Sequence, residues 1–276
     1  MRNSIILAIA QKDWKEVRQN PSAWAPMLII PLVFVILMPL AIIFLPSSLN
    51  APLDTQFQGQ GMANFFNNLP PAMSAVTAGL NPLQTGIVLI LGYLFAPFFL
   101  IIPLMFSTVI ASESFAGEYE RKTIEALFYS AASDSELFLG KVLAAVAPAV
   151  AITLLSFGIY TLVVGFASYP LIGRWWFPLP SWYPLIFWIS PAISLAGVAL
   201  TVLISAKVKT FMGTYQASAS SVLLVLALLI GQVSGVLYLS VEVGLILGAI
   251  LWVSAIILTG LAVRSFDRRK LLASVS

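Results

Sequence analysis

Six apolar runs, each close to the thickness of a bilayer, constrain this chain more than any other feature. They lie at approximately Trp24–Leu45, Gly86–Ala111, Val142–Ala167, Pro184–Ser205, Ala217–Leu237 and Val243–Val263. About 20 residues of helix cross a ~30 Å hydrocarbon core, and in lipid each spanning segment must satisfy its own backbone polar groups. The runs therefore predict an all-α polytopic membrane protein with six transmembrane helices, residues 1–276 forming a single transmembrane domain. Composition closes off the soluble alternative. Only 9% of the residues are charged, against about 25% in soluble domains, too few to clothe a water-facing surface. The apolar stretch Ile5–Ala10 is shorter than a signal-peptide core and runs into "QKDWKEVRQ" rather than a small-residue cleavage site, so this segment reads as retained.

The basic residues set the orientation. Arg2, Lys12, Lys15 and Arg18 precede the first span, and Arg121, Lys122 and Lys141 lie between the second and third. Lys207 and Lys209 follow the fourth, and Arg264, Arg268, Arg269 and Lys270 follow the sixth. Of the 14 basic residues only Arg174 falls on the other side. By the positive-inside rule both termini are cytoplasmic, in a multi-pass protein of the cell (plasma or inner) membrane. Outside stand a long first loop, 46–85, without Lys or Arg, and a second, "SYPLIGRWWFPLPSWYP", rich in Trp and Tyr. Those aromatics read as interfacial anchors, with a substrate-binding lip as the alternative.

Several chemistries are excluded. With no Cys and no His there is no thiolate, no imidazole base and no Ser–His or Cys–His pair. No ionisable residue sits in the middle of a span, which weakens an ion-coupled transporter. The basic residues flank spans rather than forming a patch, so nucleic acid is not an expected partner, whereas membrane lipids are. In the last two spans, Gly231-Gln-Val-Ser-Gly235 and Gly244-Leu-Ile-Leu-Gly248 have glycines on one helix face, as close helix packing requires. Packing within a helical hairpin is the expected role, and Gln232, Ser234 and Tyr238 either line a pathway or satisfy one another. Phe95, Phe98, Phe99 and Met105 in the second span suit either an apolar substrate or ordinary lipid contact.

Two segments outside the spans carry pattern. Residues 1–23 predict an amphipathic interfacial helix: Ile6, Ile9, Ala10, Trp14 and Val17 form a stripe, with Lys12, Lys15, Glu16 and Arg18 elsewhere on the wheel. Between spans two and three, residues 112–139 hold nine of the chain's 25 charged residues, counted from Glu113 to Lys141. The helix there reads as interrupted near Gly117. From Glu118 onward Ile124, Leu127 and Phe128 make an apolar stripe, and Glu118, Arg121, Lys122 and Glu125 a polar face. Ser133-Asp-Ser-Glu136 fits a capping box that starts the next helix before the membrane. A short helix of mixed charge suits docking to a protein surface better than to anionic lipid, a solvated loop helix being the alternative.

The stretch "ESFAGEYERKTIEALFYSAASDSELFLGKV" resembles the signature of bacterial ABC-2 type permeases, the membrane subunits of ATP-binding-cassette exporters. Thr123, Ile124, Glu125, Leu127, Glu136, Gly140 and Lys141 match it, and "AIAQKDWKEVRQNPSAW" resembles the family's amphipathic elbow helix. Lys122 stands where a glycine is common, and Ser130-Ala131 replaces a frequent Thr-Pro. The resemblance implies that the island is a coupling helix docked on a separate ATP-binding subunit. Glu118, Glu120, Arg121, Lys122, Thr123, Ile124, Glu125, Leu127 and Phe128 would make that contact, with Lys12, Trp14, Lys15 and Arg18 in the elbow. It implies a dimer with a second permease subunit and the export of a hydrophobic or amphiphilic substrate. No catalytic or metal residue and no cofactor is expected here. ATP and Mg belong to the partner, since no G-x-x-x-x-G-K-[ST] occurs. The competing readings are a six-span secondary transporter or channel without an ATPase, and a membrane enzyme or assembly scaffold.

Overall fold

The structure, a computed structural model, describes residues 3–48, 71–123, 132–234 and 236–265. Every regular element among them is helical: α1 (Asn3–Gln19), α2 (Ala23–Leu45), α3 (Pro71–Thr77), α4 (Pro82–Glu120), α5 (Asp134–Ile172), α6 (Trp182–Ser205), α7 (Phe211–Val233) and α8 (Val241–Ser265). Six of them, α2 and α4 to α8, are long and apolar enough to cross a membrane. α4 and α5 each run 39 residues, ~58 Å at 1.5 Å per residue, so their charged ends stand well clear of a ~30 Å core.

α4 is the hub. It is apolar on every face, and 83% of the residues in its apolar stretch are buried, against 17% for α2, α7 and α8. A helix apolar all round must be covered all round, by protein or by lipid. The peripheral helices turn Leu223, Ile230, Ile246 and Ile256 outward, each more than half exposed, and lipid is the solvent that suits them. Phe95 and Phe99, expected to face substrate or lipid, are buried inside the chain instead, and Phe98 packs partly against the same core.

Toward its N-terminal end α4 opens into a widened turn over Ile90–Leu94. Pro97 follows and has no N–H to offer the carbonyl four residues back. The three consecutive carbonyls in this turn each accept a side-chain bond from a different helix. Tyr160 OH of α5 donates to Leu91 O at 2.8 Å, Trp182 Nε1 of α6 to Gly92 O at 2.6 Å, and Gln232 Nε2 of α7 to Tyr93 O at 2.7 Å. Bonds of this kind between membrane helices contribute about 0.5–2 kcal/mol each.

The second outer loop corrects the expectation of interfacial anchors. Trp176, Phe177 and Trp182 are buried, and Phe177 and Trp182 pack with Phe99, Phe157 and Tyr160 at ring-centroid distances of 5.0–6.5 Å. Tyr169, Trp175 and Tyr183 keep about half their surface exposed, as interfacial anchors would. The loop folds inward because Gly92 leaves room: a Cβ there would lie 2.9 Å from the Trp176 ring. The glycine pair of α8 is corrected too. A Cβ on Gly244 would lie 3.1 Å from Pro184, and one on Gly248 2.1 Å from Trp188, so both glycines admit α6 rather than a hairpin partner in α7. Gly235 lies outside the described residues.

Candidate functional site

The charged ends of α4 and α5 meet α1 in a buried ionic knot. On α1, Ile9, Asp13 and Val17 recur every four residues and form the buried face. Asp13 was invisible to a hydrophobic-periodicity reading because a carboxylate occupies an apolar position. Its partner is Lys141, whose Nζ lies 3.2 Å from Asp13 Oδ2 and 2.8 Å from Glu118 Oε2 and donates to Ser114 O at 2.6 Å. Lys141 is fully buried, as is Glu118. The preceding residue explains how α1 comes so close. A Cβ on Gly140 would sit 2.8 Å from the Ile9 Cβ, so only glycine lets α1 cross α5 at that level. The Gly-Lys pair thus makes one joint, a notch and a charge.

A second layer surrounds the first. Lys12 Nζ reaches Glu118 Oε1 at 2.5 Å and Glu16 at 3.2 Å. Burial opposes its charged form, but Glu118 outweighs that and holds the ammonium above the usual lysine range. Arg121 Nη1 donates to Glu113 Oε1 at 2.5 Å, and Asn20 Nδ2 to Glu113 Oε2 at 3.0 Å. Glu113 opens a widened turn, Glu113–Gly117, and a Cβ on Gly117 would lie 3.1 Å from its carboxylate. The expected interruption near Gly117 is thus a helical turn that makes space for an ion pair. Asp13, Glu16 and Glu118 hold carboxylate oxygens within 4.8 Å of one another. Lys12 and Lys141 supply positive charge to that cluster, so its chemistry is that of a salt-bridge network.

α4 ends at Glu120, and a turn over Arg121 and Lys122 follows. Lys122 has φ +58, the left-handed conformation, and Thr123 N donates back to Glu118 O at 3.0 Å. That geometry favours glycine, which accounts for the glycine common at this point of the signature. Lys122 and Thr123 are exposed, as is Glu120, whose carboxylate accepts from the Phe211 N–H at 2.8 Å. Ile124, Glu125, Leu127 and Phe128 lie outside the described residues. The chain resumes at Ala132, and Ser133 and Glu136 form the expected capping box at 3.3 and 3.0 Å.

The remaining expected residues separate. On α1, Trp14 is partly buried against the core while Lys15 and Arg18 are exposed. Gln232 is buried on Tyr93 O, Ser234 is exposed with its hydroxyl on Gly231 O, and Tyr238 places its ring 6.0 Å from Tyr93.

A family model for the ABC-2 family transporter protein matches residues 7–246, from within α1 to within α8. The chain belongs to the ABC-2 transporter family. This ABC-2 chain is therefore a permease, the membrane component of an ABC transporter and a transport subunit that is not itself catalytic. The match covers α1, α4 and α5, the three helices that build the knot. No curated protein matches the chain.

Proposed function

We propose that this permease forms half of a dimeric exporter driven by a separate ATP-binding-cassette subunit, which docks on the segment between α4 and α5. The observation that carries the reading is the knot beneath that segment. Asp13, Glu118 and Lys141 join α1, α4 and α5 with side chains at most 1% exposed. Breaking a buried ion pair costs about 3–5 kcal/mol, so a push on the segment moves three helices together rather than bending one. Lys122 and Thr123 stand at the exposed rim and, with 124–128 beyond them, offer the contact to the partner. Glu118, expected on the docking face, serves by holding the base rigid. Both termini lie in the cytoplasm of a cell-membrane protein, and the partner supplies ATP and Mg. The export of a hydrophobic or amphiphilic solute follows from the family rather than from any pocket.

Purification from native membranes tests this reading. The permease should co-isolate with an ATPase carrying the phosphate-binding loop, and solute flux should require ATP. Flux driven by an ion gradient through the isolated permease would contradict it.

A further inference from the structure

Glu120 lies between Glu118 and Arg121 of the knot, yet it pairs with neither lysine nor arginine there. Its Oε2 accepts a hydrogen bond from the backbone N–H of Phe211 at 2.8 Å, across 91 residues of sequence. Phe211 is the first residue of the nine-residue helical segment Phe211–Ala219 that opens α7, and its N–H is one of the donors a helix leaves unmade. A local cap is already available: Thr210 has the extended backbone of a cap residue, φ −117 and ψ 143, but its side chain makes no capping bond. Thr is a favoured capping residue, but its hydroxyl would serve the N–H of Met212 or Gly213, so the carboxylate from another helix satisfies a first-turn donor that a local cap does not reach. The negative charge also suits the positive end of the helix dipole. Beside it Lys209 Nζ sits 5.9 Å over the Tyr119 ring, a second contact between the same two chain segments.

At the other end of α7, Gln232 Nε2 donates to Tyr93 O of α4 at 2.7 Å. α7 is therefore fastened to α4 twice, at residues 211 and 232, ~31 Å apart along the helix. The outer fastening lies within the bundle. The inner one lies beside Arg121 and Lys122, where α4 leaves the knot.

We propose that Glu120 is a positioning residue that carries movement of the docking segment into α7. It does so by holding the α7 N-terminus to the end of α4, while Gln232 keeps the outer ends in register. α7 then follows α4 as one body, although its first segment, Phe211–Ala219, also packs against α6. The inference rests on the partner-driven reading above.

The test uses the permease with its co-purified ATPase and follows amide hydrogen exchange with and without ATP plus orthovanadate. In the unaltered complex, trapping should change exchange both at 113–120 and at 211–219. In Glu120→Ala the change at 113–120 should persist and the change at 211–219 should be lost, with first-turn amides of α7 exchanging roughly fivefold faster for want of a cap. Glu120→Ala combined with Thr210→Asp separates capping from transmission. It should restore the basal protection of 211–219 through a local cap without restoring the nucleotide response, whereas Glu120→Gln, which keeps an acceptor, should retain the response. A nucleotide response at 211–219 that survives in Glu120→Ala, or that returns with Thr210→Asp, overturns the inference alone. No response at 113–120 in the unaltered complex overturns the partner-driven reading and the inference with it.

Discussion

At Lys141 one ammonium is shared by Asp13, Glu118 and the Ser114 carbonyl, with no surface left to water. Removing that charge leaves the buried Asp13 and Glu118 to share Lys12 alone, at 3.5 and 2.5 Å. Lys141→Met should lower stability by about 3–5 kcal/mol, read as a fall in melting temperature in detergent. A melting temperature within a degree of the parent would remove the knot from the account. Lys12 contributes in a different pH range. Its pKa lies above the ordinary lysine value of 10.5, so its share of stability is complete below pH 10.5 and is lost only as pH rises through the higher folded value. The melting temperature should therefore not fall on account of Lys12 between pH 7 and 9. Lys122 holds a backbone conformation that costs a side chain about 1–2 kcal/mol, so Lys122→Gly should raise stability by about 1 kcal/mol, checked by the same melting experiment. Residue types at these positions were legible in the sequence, but partners were not. The departure of Lys122 from the family pattern was visible, whereas its cause is a φ angle. Asp13 escaped notice because apolar periodicity passes over a carboxylate buried by pairing with a lysine 128 residues away.

Helices were easier to read than the faces they bury. Six apolar runs fix six helices because lipid leaves the backbone no other way to satisfy its donors and acceptors. The runs say less about which helix is central. α4 and α8 are both apolar all round, and only packing makes one the hub and the other a lipid-facing edge. The same limit explains the glycines of α8, whose spacing announced a close approach and whose partner proved to be Pro184 and Trp188 of α6. It also explains the outer aromatics, since Trp at a loop suits an interface until a glycine such as Gly92 opens a slot for it. At this scale Gly140 makes a direct prediction. Gly140→Leu should lift α1 off α5, because even a Cβ meets Ile9 at 2.8 Å. The chain has no cysteine, so Ile9→Cys gives a unique probe. It should resist a maleimide in the parent and react readily when Gly140 is leucine. Equal protection in both would show that α1 does not depend on the notch.

The whole molecule is a lipid-facing bundle built around α4, pinned toward the N-terminal end of that helix by three carbonyl bonds and at its C-terminal end by a charge network. A chain without His or Cys has few groups with which to perform chemistry. In the proposed reading it is moved from the exposed rim above the knot. The most direct measurement is a photocrosslink from a probe at Thr123 in native membranes, at the last described residue before the docking segment. The account predicts an adduct with an ATPase that bears G-x-x-x-x-G-K-[ST], lost when the probe is moved to the outward-facing Val236. Labelling of position 123 by an impermeant reagent from outside intact cells, with no ATPase adduct, would contradict it.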